Sequence, residues 1–394
     1  MDSVKLSGRA LVVHGGGPTA VLNSSLAGIV EACAARAEIS GVIGAIRGAS
    51  GILNGNFFDL SAPSDWERIA MTAGSVLGSS RQQLAPPDFE QMISVCRRLN
   101  VRYLFVTGGN GTMEMALRLN EAAQALGHEC RVIGVPKTID NDLTGTDHSP
   151  GFASCARFFA TAFRSIGADN RALPGVTVVE VLGRNVGWLT ASAMLARERD
   201  DDAPHLVYLP ERRLRLSNLY ADVDRVYRKQ GRAVVAVCEG QLDESGEPFG
   251  ADARVTSRKP LALNLAHVLS RHIERELKIT TRSEKPGLLG RSCAPLASAV
   301  DRQESRECGR AAVGLAAAGA SGVMVTLQRT GDAAYRSETG SVPLADVVGR
   351  ERPLPEEWLP NDPTVASAGF LEWVKPLVGD LQPSGWLSRR FVEE

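Results

Sequence analysis

The sequence predicts an α/β fold in which mostly parallel strands are covered by helices on both faces. Three observations lead there. Short β-branched runs recur along the chain, several of them ending in glycine or a polar turn. Helical stretches with few breakers separate them. The chain has 394 residues, enough for two domains with a core each.

In order, Leu11-Val12-Val13-His14 reads as a buried strand running into Gly15-Gly16-Gly17, and residues 23–35 follow as a helix. Tyr103-Leu104-Phe105-Val106-Thr107 repeats the pattern, with Gly108-Gly109 after it and a helix over 113–126. Val132-Ile133-Gly134-Val135 leads into Pro136-Lys137-Thr138-Ile139-Asp140-Asn141-Asp142. A domain break is expected near Gly151-Phe152, where this acidic loop ends and a new helix begins. Residues 176–181 run into Leu182-Gly183-Arg184, and 234–237 into Cys238-Glu239-Gly240. Leu261, Leu265, Leu269, Ile273 and Leu277 recur every four residues and form one apolar stripe on a helix. From about residue 350 the chain is rich in proline and tryptophan, and this tail is expected to wrap the surface and pack back.

Composition excludes several function classes. Hydrophobic content of 44% and charged content of 23% describe an enzyme-like globular chain, and 39 glycines supply many tight turns. A formal net charge of -1, with no basic block interleaved with aromatics, leaves no footprint for nucleic acid. No apolar run reaches the roughly 18 residues that cross a bilayer, so no membrane partner is expected. The amino terminus, with Asp2 and Lys5 ahead of a strand, lacks the layout of a signal peptide. Cys33, Cys96, Cys130, Cys155, Cys238, Cys293 and Cys308 are scattered without a CxxC pair. They are expected as reduced thiols in a cytoplasm, packed as small apolar residues and not joined in disulfides or a zinc site.

In open α/β sheets ligands bind outside the carboxyl ends of the strands, and five motifs here stand at such ends. Gly15-Gly16-Gly17-Pro18-Thr19 lies between a strand and a helix, so its backbone N–H groups can approach phosphate oxygens. No Gly-Lys-Ser/Thr follows, which excludes a Walker loop. Gly108-Gly109-Asn110-Gly111-Thr112 repeats the design, with its helix starting near Thr112. The stretch GSVLGSSR at 74–81 adds small residues and, in Arg81, a guanidinium suited to a donor phosphate. Each glycine turn alone could be structural; together with Lys137 they read as a phosphate site. Asp140 and Asp142 could be a turn or N-cap pair. With Lys137 and Thr138 beside them, they read as the acids of phosphoryl transfer, able to hold a metal ion and take a hydroxyl proton. Arg184 and Glu239 each follow a strand, and either could be one half of a structural ion pair.

The ordered series GGGPTAVLN, GSVLGSSR, GGNGT, PKTIDNDLTGTDHSPGF, VEVLGRNVGW, CEG and GLLGR resembles the phosphofructokinase family, which includes ATP- and pyrophosphate-dependent enzymes. The resemblance covers nearly the whole chain, and the body is most similar to the pyrophosphate-type branch. It implies two Rossmann-like three-layer α/β/α domains with mostly parallel sheets and an active site in the cleft between them. Residues 1–151 with about 291–340 would bind the phosphoryl donor. Residues 152–290 with about 341–394 would form the sugar-phosphate domain and tail.

By position, the resemblance makes Asp140 the base that takes the proton from the 1-hydroxyl of a sugar phosphate, by default fructose 6-phosphate. Thr138 and Asp142 would support it, with Lys137 among the catalytic groups. Gly16, Gly17, Arg81, Gly109, Asn110, Gly111 and Thr112 would line the donor phosphates, and Arg184 would stabilise the transferring group. Leu182, Gly183 and Glu239 would hold the sugar, while Arg282 and Arg291 would grip its distal phosphate. Mg2+ is the implied cofactor, met by Asn110 and Asp140 through water. A homodimer or homotetramer is implied, in which a neighbouring subunit helps bind the sugar phosphate.

Three departures bear on substrate and metal. Asn110 stands where the family usually has a magnesium-binding aspartate, which removes one charge and predicts weaker Mg2+ binding or a changed ligand set. Leu288 replaces a histidine or tyrosine of the sugar pocket, and Gly175 aligns with another phosphate-gripping arginine. A different sugar phosphate, such as sedoheptulose 7-phosphate, therefore stays open. For the donor, pyrophosphate-dependent relatives pair an aspartate at the position of Gly111 with a lysine at that of Lys137. That aspartate fills the space where ATP would place its α-phosphate. Gly111 leaves the path clear, and a clash rejects a ligand outright, so the expectation leans to ATP with pyrophosphate as the alternative.

A reading from another class is a non-catalytic regulatory or binding subunit. Asn110, Gly175 and Leu288 favour it, while the intact Asp140, Asp142, Lys137 and Arg184 oppose it. A nicotinamide dehydrogenase would need a GxGxxG that the chain lacks.

Overall fold

The computed structural model describes residues 6–249, 264–331, 335–385 and 387. Eleven strands form two sheets among these residues. The first runs β11 (Arg336–Pro343), β10 (Val323–Thr330), β5 (Arg131–Pro136), β4 (Val101–Gly108), β1 (Gly8–His14), β2 (Ile39–Ala45) and β3 (Phe57–Asp59). Its five inner strands are parallel, and the antiparallel pairs β10–β11 and β2–β3 close its two edges. The second sheet is wholly parallel, in the order β7 (Leu206–Tyr208), β8 (Ala233–Cys238), β6 (Val176–Val181) and β9 (Thr281–Glu284).

Both sheets are buried on two faces because successive side chains of a strand point opposite ways. In β1, Leu11 and Val13 enter one core while Ala10 and Val12 enter another. In β6, Val179 and Val181 enter a third, and Val176 and Val178 a fourth. Uninterrupted apolar runs are what such placement demands, and each body is a three-layer α/β/α sandwich. The described part of the apolar stripe sits on the helix Leu265–Leu277, with Leu265, Leu269 and Ile273 buried against the second sheet. Leu261 lies outside the described residues. The second glycine-rich loop is shorter than expected: its helix is Asn110–Ala125, so Asn110, Gly111 and Thr112 are its first turn. All seven cysteines are free and six are buried, and no helix among the described residues is long and apolar enough to cross a membrane.

The carboxyl-terminal segment packs back as expected. Its helix Ala368–Val378 brings Phe370 and Trp373 against Trp188 and Trp358, with ring centroids 5.1 to 6.2 Å apart. Such pairs add about 1 kcal/mol each beyond the area they bury, which fastens the tail to the second body.

On the helix Ala299–Ala317, buried Asp301 joins the bodies and buried Glu304 anchors the end of the acidic loop. The helix Phe152–Ala172 opens on Gly151, which has no side chain to cap it. Asp301 supplies the cap from a distance: Oδ1 accepts the Gly151 N–H at 2.8 Å, and Oδ2 accepts the Ser154 N–H at 2.9 Å and its hydroxyl at 2.5 Å. Glu304 accepts the Nε2 hydrogen of the buried His148 at 2.7 Å, and Asp147 accepts the Nδ1 hydrogen at 2.9 Å. The hydroxyls of Tyr335 and Ser337 complete the Glu304 carboxylate, and Trp373 Nε1 donates to Asp147 at 3.1 Å.

Burial alone would lower the His148 pKa, but the hydrogen bonds and charges of Asp147 and Glu304 lift it to about 9 from an ordinary 6.5. The stability this imidazolium supplies is therefore complete below about pH 6.5 and lost as pH rises through 9. The melting temperature should accordingly fall by several degrees between about pH 6.5 and 9.5. In His148→Gln the melting temperature should start lower and the fall over that window should flatten, as read by calorimetry across a pH series.

Candidate active site

The donor side is assembled where β1 ends. His14 is fully buried, and its ring Nδ1 meets the Ser75 hydroxyl at 2.8 Å. That hydroxyl donates to the Gly78 carbonyl at 2.7 Å, so Nδ1 carries the hydrogen in the His14 contact. Burial, then the nearby Lys137, push the His14 pKa down to about 3 and keep the ring neutral. Gly16 N–H donates to the Ser80 carbonyl at 3.0 Å and the Ser79 hydroxyl to the Gly16 carbonyl at 2.7 Å. These bonds stitch loop 15–18 to loop 74–81. Thr112 wedges beneath both glycine loops: a Cβ on Gly15 or Gly108 would come within 2.3 Å of its Oγ1.

Between the loops opens a cavity of about 350 Å³ lined by Gly16, Gly17, Pro18, Ser75, residues 78–81 and Arg291. Lys137 is buried against the first glycine loop, with Nζ donating to the Gly15 carbonyl at 2.9 Å and the Gly17 carbonyl at 2.6 Å. Burial pulls the Lys137 pKa down to about 7, against the lift from Asp140, and the positive Arg291 and Arg81 lower it further. An anion in the cavity would hold that ammonium in its charged form. Arg81 and Arg291 on the cavity wall, with Lys137 behind the glycine loop, give it a positive character suited to an anion.

The transfer side lies at the ends of β5 and β6. A left-handed turn at Asn141 (φ 60°), fixed by its Oδ1 accepting the Ser149 N–H at 2.9 Å, lets Asp140 and Asp142 flank it. The Asp142 carboxylate is hydrogen-bonded locally: Thr138 Oγ1 donates to Oδ1 at 3.1 Å and Asn110 Nδ2 to Oδ2 at 2.9 Å. Asp140 is held only by its backbone, whose N–H donates to Thr138 Oγ1 at 3.1 Å. Its carboxylate, 15% exposed, faces Arg184 with Nε 3.8 Å from Oδ2. Burial, then the Asp142 charge, push the Asp140 pKa well above the usual carboxylate range, with Arg184 opposing. A carboxylate so raised, turned to the cleft without a donor of its own, is equipped as a general base near neutral pH.

Arg184 owes its direction to a strained turn, with φ 139° at Gly183 and 51° at Arg184. Gly240 must be glycine: a Cβ there would lie 1.6 Å from the Arg184 carbonyl oxygen. That carbonyl also accepts the Cys238 thiol at 3.3 Å. Leu182 and Glu239 stand beside the turn, partly buried, with Glu239 N–H donating to the Val181 carbonyl at 2.8 Å. Burial, then Glu180, raise the Glu239 pKa, with Arg184 opposing.

Most of the expected residues are thus brought together; Arg282, Gly175 and Leu288 lie away from them, and Arg291 lines the donor cavity. Arg282 lies on the edge strand β9 opposite Thr177, exposed, its Nη1 3.7 Å from Asp169. Gly175 precedes the amino end of β6, against the Thr280 carbonyl. Arg291 stands at the donor cavity: a Cβ on Gly17 would come 3.0 Å from its Nη1. Leu288 is 67% exposed. Sequence reasoning missed His14, which reads as the last residue of a strand, and Glu180, whose Oε1 pairs with Lys285 Nζ at 2.6 Å. Glu180 sits in a valine run, and a lone acid there was the available signal.

Among the described residues no three His, Cys, Asp or Glu side chains converge into a ready-made metal cage. The donor set does fit a cation that arrives with phosphate oxygens. Asn110 Oδ1 is buried without a hydrogen-bond partner, and the Asp142 and Asp140 carboxylates are close at hand.

Residues 9–316 match the family described as Phosphofructokinase. The chain is 36% identical over 393 residues to a pyrophosphate–fructose 6-phosphate 1-phosphotransferase of Rhodospirillum rubrum, covering 97% of each. It is 30% identical to a sulfofructose kinase of Alkalicoccus urumqiensis, over 95% of this chain and 96% of that one. A crystal structure of a pyrophosphate-dependent phosphofructokinase from Nitrosospira multiformis superposes with a TM-score of 0.87 at 27% identity, covering 97% of this chain and 95% of that one.

Asn110 donates to Asp142, and an aspartate in its place would set two carboxylates face to face. Asn110→Asp should therefore lower the melting temperature without metal and respond more strongly than the parent to millimolar Mg2+, read by thermal shift against an EDTA control.

Proposed function

This chain belongs to the phosphofructokinase family, and from that premise we propose that it moves a phosphoryl group from pyrophosphate to the 1-hydroxyl of fructose 6-phosphate. The observation that carries the reading is Asp140, whose raised carboxylate faces Arg184 at 3.8 Å without a hydrogen-bond donor of its own, close to the buried Lys137. Asp140 takes the proton from the sugar 1-hydroxyl as the oxygen bonds to the terminal phosphorus. The bond from that phosphorus to the bridging oxygen breaks, and its electrons leave with phosphate. Arg184 balances the charge on the group in transit. Lys137 and Arg81 hold the leaving phosphate against the Gly16-Gly17 loop. Asn110, Asp140 and Asp142 would meet a divalent cation, Mg2+ by this reading, which would supply charge neutralisation to the donor phosphates.

Leu182, Gly183 and Glu239 hold the sugar in this reading. Arg282 faces outward from β9, and we assign it to the distal phosphate of a sugar bound in a neighbouring copy of a homodimer or homotetramer. The donor half would comprise residues 1–151 with about 291–340. The free thiols accord with a cytoplasmic setting.

The names of the relatives move the donor from ATP to pyrophosphate. ATP remains the second reading because Gly111 is exposed in the first helical turn and puts no side chain across a nucleotide's path. Phosphorus NMR on ATP, GTP and pyrophosphate against several sugar phosphates decides donor and acceptor together, with turnover expected for pyrophosphate and fructose 6-phosphate. Turnover only with ATP would overturn the donor. Gly111→Asp should spare pyrophosphate use and abolish any ATP use. Asp140→Asn should lower kcat by about a thousandfold with KM little changed, and a loss under about tenfold would remove the base role.

A further inference from the structure

Glu351-Arg352-Pro353-Leu354 lies beyond the residues 9–316 matched by the family, yet it crosses the cleft beside the acidic loop. Toward that loop, the Arg352 N–H donates to the Asp142 carbonyl at 2.9 Å. Its Nη1 donates to the Thr146 carbonyl and, at 2.7 Å, to that of Asp147. Toward the second body, Trp188 Nε1 donates to the Arg352 carbonyl at 3.0 Å, and the guanidinium lies 4.3 Å from the Trp188 ring centroid. The Asn185 amide donates to both Glu351 oxygens at 3.2 Å. Glu211 Oε1 accepts the N–H of Leu354 at 2.9 Å and of Gly187 at 2.8 Å. Asn185, Gly187 and Trp188 directly follow Arg184 in the chain.

We propose that Arg352 is a positioning residue for phosphoryl transfer: the strap it centres fixes the loop of Asp140 against the turn of Arg184, so that base and guanidinium reach the transferring group together. The inference rests on the reading given under Proposed function. Asp140 and Arg184 come from different sheets, and their own contact is a 3.8 Å pair with Arg184 43% exposed. A pair of that kind is too weak to set a distance. The strap replaces it with directional bonds to both loops. Arg352 also keeps Nε and Nη2 out of water with no hydrogen-bond partner among the described residues. Dry, unpaired N–H groups cost stability, so an apolar side chain would serve better if filling space over Trp188 were the only task.

The test compares steady-state kinetics with pyrophosphate and fructose 6-phosphate, together with melting temperature, for the parent, Arg352→Gln, Arg352→Lys and Glu351→Ala. Misplacement by about 1 Å costs on the order of a hundredfold in rate. Arg352→Gln should therefore lower kcat by about that factor while both KM values stay within about threefold. Arg352→Lys, which keeps the charge but not the flat group over Trp188, should recover part of the loss. Glu351→Ala should fold like the parent and lose kcat severalfold. An active parent with an Arg352→Gln kcat within about threefold of it overturns the inference alone. So does a lower melting temperature at unchanged kcat of the folded protein, or a loss that appears in KM. If Arg352→Gln does not fold, an unchanged kcat in Glu351→Ala overturns it. A folded parent without turnover for any donor and sugar phosphate overturns the functional reading and this inference with it.

Discussion

Two carboxylates one residue apart, kept largely out of water at the end of β5, are the constraint around which the rest of the site is arranged. Asp142 is made tolerable by neutral donors, Thr138 and Asn110, which stabilise its carboxylate by hydrogen bonds without a formal positive charge. Asp140 is left without such help, and its remaining neighbours act at a distance. Arg184 and Lys137 favour its charged form, while burial, Asp142 and Glu239 oppose it. Lys137 carries the matching penalty on the cationic side, its ammonium turned to two carbonyls instead of a counter-ion. Acid and base are thus pressed toward neutrality from opposite directions, and a bound polyanion would restore charge to the lysine.

The scaffold converts that local problem into one of alignment between two sheets. The anion cavity belongs to the first sheet, Arg184 and Glu239 to the second, and neither is useful without the other. The helix Ala299–Ala317 answers through buried Asp301, which caps the first helix of the second body. The tail answers at the cleft itself, where Trp373 Nε1 donates to Asp147 and Arg352 bonds to both the Asp142 carbonyl and Trp188. These ties are polar or aromatic and directional, unlike the apolar layers within each body, which resist separation but set no particular angle.

Strands and motifs that follow one another in the chain were legible in the sequence. An apolar run followed by glycine identifies a strand and its carboxyl end at once, and β1, β4, β5, β6 and β8 were found that way. β9, with the sequence Thr-Arg-Ser-Glu, was not, because an edge strand exposed on alternate residues needs no apolar signal. The polar ladder of β11 on β10 was hidden for the same reason. The acidic loop and its lysine could be read as chemistry, whereas the partners that tune them could not. Asp301, Glu304 and Arg352 lie more than a hundred residues from the loop they serve, and no local pattern marks a charged residue as buried. Arg291, assigned by resemblance to the distal sugar phosphate, stands against Gly17, a placement that depends on how the bodies meet.

The borrowed cap on the helix Phe152–Ala172 has a consequence for how the chain matures. Gly151 and its acceptor on Asp301 are 150 positions apart, so a nascent polypeptide that has emerged only through the second sheet still lacks the group that finishes that sheet's opening helix. The two halves cannot be completed one after the other; the later half of the chain must return to finish the earlier one.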